Sequence, residues 1–262
     1  TASLDAAIGK GDLMLVAGAL SADFRAAYPD RPLQLRADLR GNLSAMSLSR
    51  CDVTLPGALR LGLTGAVESV ADSARRTGEI RLDAEGGDLS FLLAMLPAAQ
   101  RERFAIPTGL RLTGEASLAQ QAYHADLSLE DDTGRIDLTA FFDPTRLAYK
   151  ASLRVDSLAP TRFLPQDSLF WLAASLDAEG KGTDPFANDT RARLTGKITD
   201  IHYGSASVSD VTVAGALEEH LLKLDLLSAY PLAEMDLSLN VTLHANDVKA
   251  MLIADVENLD LR

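Results

Sequence analysis

Residues 129–158 read LEDDTGRIDLTAFFDPTRLAYKASLRVDSL, and polar and apolar letters take turns through almost all of it. Ile136, Leu138, Ala140 and Phe142 share one parity against Arg135, Asp137 and Thr139. After Asp143-Pro144-Thr145-Arg146 the pattern restarts, with Leu147, Tyr149, Ala151, Leu153 and Val155 set against Lys150, Ser152, Arg154 and Asp156. A strand sends successive side chains to opposite faces, so this is a hairpin with one apolar face and one wet face. What the apolar face meets decides the fold: a second sheet, a helix layer, or something that is not protein.

The alternation runs outward in both directions. Leu33, Leu35, Ala37 and Leu39 share a parity, as do Leu59, Leu61, Leu63 and Gly65, then Ile80, Leu82 and Ala84, then Leu110, Leu112, Gly114, Ala116 and Leu118. Tyr123, Ala125, Leu127 and Leu129 follow. Later come Leu172, Ala174, Leu176 and Ala178; Ala192, Leu194, Gly196 and Ile198; Val211, Val213, Gly215 and Leu217. Met235, Leu237, Leu239, Val241 and Leu243 lead into Val248, Ala250, Leu252, Ala254 and Val256. Roughly fifteen strands are predicted, joined by short polar links such as Asp131-Asp132-Thr133-Gly134 and Ala245-Asn246-Asp247, which makes neighbours antiparallel.

Two stretches break the period. In 88–105, Leu89, Leu92, Leu93 and Leu96 fall at i, i+3, i+4 and i+7, which predicts a short α-helix with Asp88 as N-cap, ended by Pro97. Residues 157–170 carry a shorter relative with its own Leu164-Pro165 pair. "VENL" at 256–259 echoes "VDSL" at 155–158, as if a further insert began there. The reading is a degenerate repeat of several strands, a short helix and several strands.

Bulk composition narrows the function classes. With 262 residues, 47% hydrophobic, the chain can bury a sizeable core, but its formal charge of −12 argues against nucleic acid and against an electrostatic grip on anionic lipid. A single cysteine, Cys51, allows no intrachain disulfide. No basic-then-apolar leader and no membrane-length apolar run is seen. The start at Thr1 without Met, and the end at "VENLDLR", are read as those of an excised segment.

Only 5% of the residues are aromatic, fewer than a large sandwich core would recruit, and two short helices are too few to cover fifteen strands. Fifteen strands at about 4.8 Å each would run ~70 Å. The expected fold is therefore mainly β, an elongated, curved antiparallel sheet forming an open half-pipe, with helical inserts at 88–105 and 157–170.

At "DLSFLLAMLP…GLRLTGEASL", "VDSLAPTRFLPQDSLFWLAASLDAEGKGTDP" and "LGLTGAVESVADSARRTGEIRLDAEGGDLSFL" the chain resembles the TamB branch of the AsmA-like proteins of Gram-negative envelopes. The resemblance covers nearly the whole chain, through loose Leu, Gly and Leu-Pro patterns, without the family's N-terminal membrane anchor or its C-terminal partner-binding region. It implies that residues 1–262 are a β-groove segment of a longer protein anchored in the inner membrane and crossing the periplasm. It further implies phospholipid passage to the outer membrane, support of outer-membrane biogenesis as part of a translocation and assembly module, and an outer-membrane barrel partner reached through the missing parts. On this reading acyl chains meet a groove lined by Leu61, Leu63, Leu82, Leu112, Leu127, Leu129, Ile136, Leu138, Leu153, Leu176, Leu194, Val213, Leu224, Leu237, Leu239, Val241 and Leu252. Competing readings are a scaffold that pairs its sheet edges with nascent barrel strands, and a closed-core spacer.

Signs of enzyme chemistry are weak, and no catalytic residue, metal or cofactor is expected. His124, His202, His220 and His244 have no metal-ligand spacing, and His124 and His244 fall on polar strand faces. Glu130-Asp131-Asp132 lacks the ligand ladder of a calcium loop and reads as a turn with Gly134. Lys181-Gly182-Thr183 has Leu176 where a phosphate loop needs Gly, and Gly204-Ser205-Ala206-Ser207 lacks the closing Gly of a nucleophile elbow. The sequons at Asn188 and Asn240 are short enough to arise by chance.

Overall fold

The computed structural model describes residues 1–16, 21–42, 44–230, 233–244 and 247–257. The expected turn at 245–247 and the echo at 256–259 fall partly outside them. The protein is mainly β, one open antiparallel sheet whose fifteen strands follow chain order. They are β1 Ala2–Ile8, β2 Leu33–Gly41, β3 Ala45–Leu55, β4 Leu59–Glu68, β5 Thr77–Gly86, β6 Leu110–Ala119, β7 Ala122–Glu130 and β8 Arg135–Asp143. After these come β9 Ala148–Leu158, β10 Leu169–Lys181, β11 Arg191–Tyr203, β12 Ala206–Glu218, β13 Leu221–Tyr230, β14 Ala233–His244 and β15 Asp247–Glu257. Two compact units divide the chain. One holds residues 1–121, 125–134 and 159–167, and the other 122–124, 135–158 and 168–262.

Alternation holds through each unit, but in four strands the apolar letters slip by one: Leu48 to Cys51, Val155 to Leu158, Ile198 to Ile201 and Val208 to Val211. The first three coincide with an extra residue against a partner strand, and the fourth faces the third in unbroken register. Asp38 pairs with Arg50 but Leu39 with Leu48, which leaves Ser49 over. Ala174 pairs with Ile198 but Ala173 with Asp200, which leaves Thr199 over. Ser157 and Asp210 take left-handed backbone, at φ 59° and 56°. A bulge takes one residue out of the alternation, so the apolar side continues on the same face.

Three inserts, one more than the sequence predicts, interrupt the sheet, after β1, β5 and β9. Four strands separate the first from the second and four the second from the third, so all three leave from the same end of the strands. The missed one contains helices α1 Lys10–Val16 and α2 Ala22–Ala27, the latter N-capped by Ser21, whose hydroxyl accepts from the Phe24 N–H at 3.1 Å. Its Gly11-Asp12-Leu13 matches Gly87-Asp88-Leu89 of the second insert, and Leu13 and Leu89 pack into one cluster.

The second insert is not the α-helix expected. Ser90–Met95 is a 3-10 helix, followed by α3 Ala98–Arg101. With three residues per turn, i and i+3 stack in line, so Phe91 and Ala94 are the buried pair and the Leu stripe is only half-buried. Leu89, not Asp88, is the N-cap residue. Asp88 instead closes a local turn, and the Ser90 hydroxyl and N–H hold its carboxyl below the usual range. In the third insert β9 runs on to Leu158 and β10 starts at Leu169, leaving only a 3-10 turn, Pro160–Arg162, between them.

Phe24, Tyr28 and Phe91 meet with ring centroids 5.4–5.9 Å apart, over Leu55 and Ala58 at the β3–β4 turn. Arg101 ties the inserts together, donating to Asp23 at 2.6 Å and to the Leu96 carbonyl at 2.9 Å. The Ala105 N–H donates to the Phe163 carbonyl and Gln166 to the Glu102 carbonyl, which joins the second insert to the third. This aromatic cluster is where the buried core sits.

Candidate functional site: an uncovered apolar face

Register turns the alternating letters into rows that run across the strands. In the first unit Val53, Leu61, Ala84 and Leu112 are successive partners, and beside them Cys51, Leu63, Leu82 and Gly114. In the second unit Leu138, Leu153, Leu176, Gly196, Val213, Leu226, Leu237 and Ala254 form one row. The next row is Ala140, Ala151, Ala178, Leu194, Gly215, Leu224, Leu239 and Leu252. Ile136 and Val155 are partners on one flank, and Val241 and Ala250 on the other. Leu127 reaches over Gly114 from β7, where Leu129 shares its parity.

Glycines in these rows make room for neighbouring leucines to lie flat. A Cβ on Gly196 would come within 2.6 Å of Leu176 Cδ1, and one on Gly215 within 2.7 Å of Leu224 Cδ2. The result is a low apolar surface with little relief.

Among the described residues, strands within each unit pack only on consecutive strands, and no second sheet of the same unit covers this face. Sixteen of the seventeen predicted groove residues are half-buried and none is fully buried; Leu252, on edge strand β15, is 66% exposed. No large side chain is fully buried anywhere among the described residues. The chain exposes 16398 Å², against about 11,100 Å² for a compactly folded protein of 28.0 kDa. Leu147 departs from the pattern: it sits in the turn before β9 with φ 51°, outside the strand.

The opposite face is a lattice of ion pairs. Arg36–Asp5, Arg60–Glu85, Arg111–Asp83 and Lys197–Asp210 stand at 2.6–3.2 Å, all well exposed. Exposed pairs of this kind are screened by water and salt and add little to stability. They keep the wet face wet. His124 lies there too, its ring tilted against Phe141 with centroids 4.8 Å apart, and His202 pairs with Asp200 at 3.1 Å.

The 131–134 link is the turn the sequence predicts, and it holds the third insert as well. Asp131 Oδ1 accepts from the Thr133 N–H and hydroxyl and the Gly134 N–H, at 2.6–2.9 Å. Its Oδ2 takes Arg162 Nη1 at 2.9 Å, with the Asp131 side chain only 1% exposed. Burial is the largest single influence on this carboxyl and raises its pKa. The Thr133 and Gly134 hydrogen bonds and the Arg162 charge together outweigh it, so the pKa lies below the usual value.

No group of three or more His, Cys, Asp or Glu side chains among the described residues is placed to hold a metal ion. No helix among them is long and apolar enough to cross a membrane. Comparison with protein-family models, curated proteins and solved structures returns no match.

Proposed function

We propose that the uncovered face is a groove for phospholipid acyl chains, in a periplasmic segment that carries lipid between the inner and outer membranes. One observation carries this reading: a continuous apolar row crosses eight strands of one unit, and among that unit's described residues no second sheet packs over it. Transfer of an alkyl chain from water onto such a surface yields about 0.8 kcal/mol per methylene fully buried, and needs no charged contact. That suits a chain with a net charge of −12. The resemblance to the TamB branch points the same way.

Barrel-strand scaffolding is the second reading, and edge strand β15 favours it. Val248, Met251, Leu252 and Ile253 are each more than half exposed there, on both faces of a strand without proline. Photo-crosslinking from Leu138 or Leu239 with a diazirine-bearing phospholipid, read by native mass spectrometry, tests the first reading. Lipid adducts from these positions, and none from Thr139 or Ser238 on the wet face, are expected. Equal labelling of both faces would refute it.

A further inference from the structure

On the wet face of the second unit, at the end of the strands opposite the inserts, lies a basin of about 590 Å³ between β8 and β12. Its composition is out of keeping with the chain. Lys150, Lys181, Arg191 and Arg193 line it, against only Glu179 and Glu218, a surplus of two positive charges in a protein of net −12. Arg191 and Glu218 satisfy each other at 3.6 Å. Lys150, Lys181 and Arg193 have no ion-pair or hydrogen-bond partner among the described residues.

Register explains why they converge. Lys150, Glu179 and Arg193 are successive cross-strand partners, and Lys181 pairs with Arg191 in the adjoining row. Ala216, the next partner of Arg193, keeps the floor low on one side. Phe141, backed by His124, walls the other. Three free cations around one carboxylate leave a charge of about two to be met, which is that of a phosphate monoester near neutral pH. Arg supplies a planar fork and Lys a point charge, the usual pairing for phosphate oxygens.

We infer that this basin binds a phosphate ester, through Lys150, Lys181 and Arg193. It lies on the face opposite the apolar rows, so it does not depend on the acyl-chain reading and can fail or stand separately from it.

The experiment titrates the whole chain with inorganic phosphate at low ionic strength, followed by phosphorus NMR and calorimetry. Arg193→Ala and Lys181→Ala should each weaken binding by about tenfold or more, the loss of one charge-assisted contact. Lys197→Ala, on the same face but paired with Asp210, should leave it unchanged. A far-UV melt of each variant confirms folding. A second arm sediments the chain with phosphatidylcholine vesicles with and without phosphatidic acid. Capture by phosphatidic acid, lost in Arg193→Ala, makes a lipid headgroup the source; phosphate binding without capture makes it a small soluble ester. Phosphate binding no tighter than chloride, or weakened as much by Lys197→Ala as by Arg193→Ala, overturns the inference.

Discussion

Leu55 and Leu63 lie on adjacent strands of the same unit and differ in what stands over them, so truncating each to alanine isolates the effect of an open face. Leu55 is 2% exposed beneath Phe24, Tyr28 and Phe91. Leu63 is half-buried between Cys51 and Leu82, and among the described residues of its unit no second sheet packs over it. Leu→Ala removes three carbons, worth about 2.4 kcal/mol if wholly buried and ~1.2 kcal/mol if half-buried. At Leu55 a cavity adds to the transfer loss, so the total should be about 2–5 kcal/mol. At Leu63 solvent or ligand fills the space and no cavity forms, which leaves ~1 kcal/mol. Trp171 belongs to the other unit, so its fluorescence is the wrong probe. Hydrogen exchange of β3–β5 peptides by mass spectrometry reads the right unit. A loss at Leu63 equal to that at Leu55 would mean that the apolar face is a closed core, and both the open sheet and the lipid reading would go.

Three further outcomes follow from local geometry. Because the Asp131 pKa is lowered on folding, its contribution should be complete above the unfolded value of about 3.9 and fade as pH falls through the lower folded value; exchange of third-insert amides between pH 5 and 2 should show this, and Asp131→Asn should abolish the dependence. Leu147 holds left-handed backbone at φ 51°, which glycine adopts without penalty and alanine does not, so Leu147→Gly should be more stable than Leu147→Ala by about 1 kcal/mol; equal melting temperatures of the two variants would show that the strain is not there. Gly196→Ala places a methyl 2.6 Å from Leu176 Cδ1 and 2.8 Å from the Ser175 carbonyl, and should destabilise by ~1–3 kcal/mol in urea titrations, whereas Gly204→Ala meets nothing within 4 Å and adds only the strain of its φ of 60°.

The strands were legible because a period of two survives in single letters, and Asp131-Asp132-Thr133-Gly134 announced its turn by residue type. Where the period slips, as from Ile198 to Ile201, only the partner strand shows that a bulge restores it. The first insert escaped notice because its apolar letters, Leu13 to Val16, form a short run that periodicity cannot assign. In the second the letters point to one pitch and the packing to another: Leu89, Leu92, Leu93 and Leu96 fit 3.6 residues per turn, but six residues docked under Phe24 and Tyr28 settle at three. The basin was not legible at all. Lys150, Lys181 and Arg193 sit on three consecutive strands, 31 and 12 residues apart in the chain, and only register makes them neighbours.

Strict chain order, with inserts after β1, β5 and β9, sets off two blocks of four strands, β2–β5 and β6–β9. Each strand leans only on the one before and the one after, so the segment from Leu110 to Ser168 can in principle be removed as a unit. The Gly-Gly-Asp-Leu arm would then lead into β10 with every remaining strand still antiparallel to its neighbour. Such a deletion shortens the sheet by about 19 Å, four strand spacings, without reversing a direction. Duplication of the same segment lengthens it by as much. A gene that gains or loses one such block changes the number of strands in steps of four, and every strand keeps its direction because each step is even.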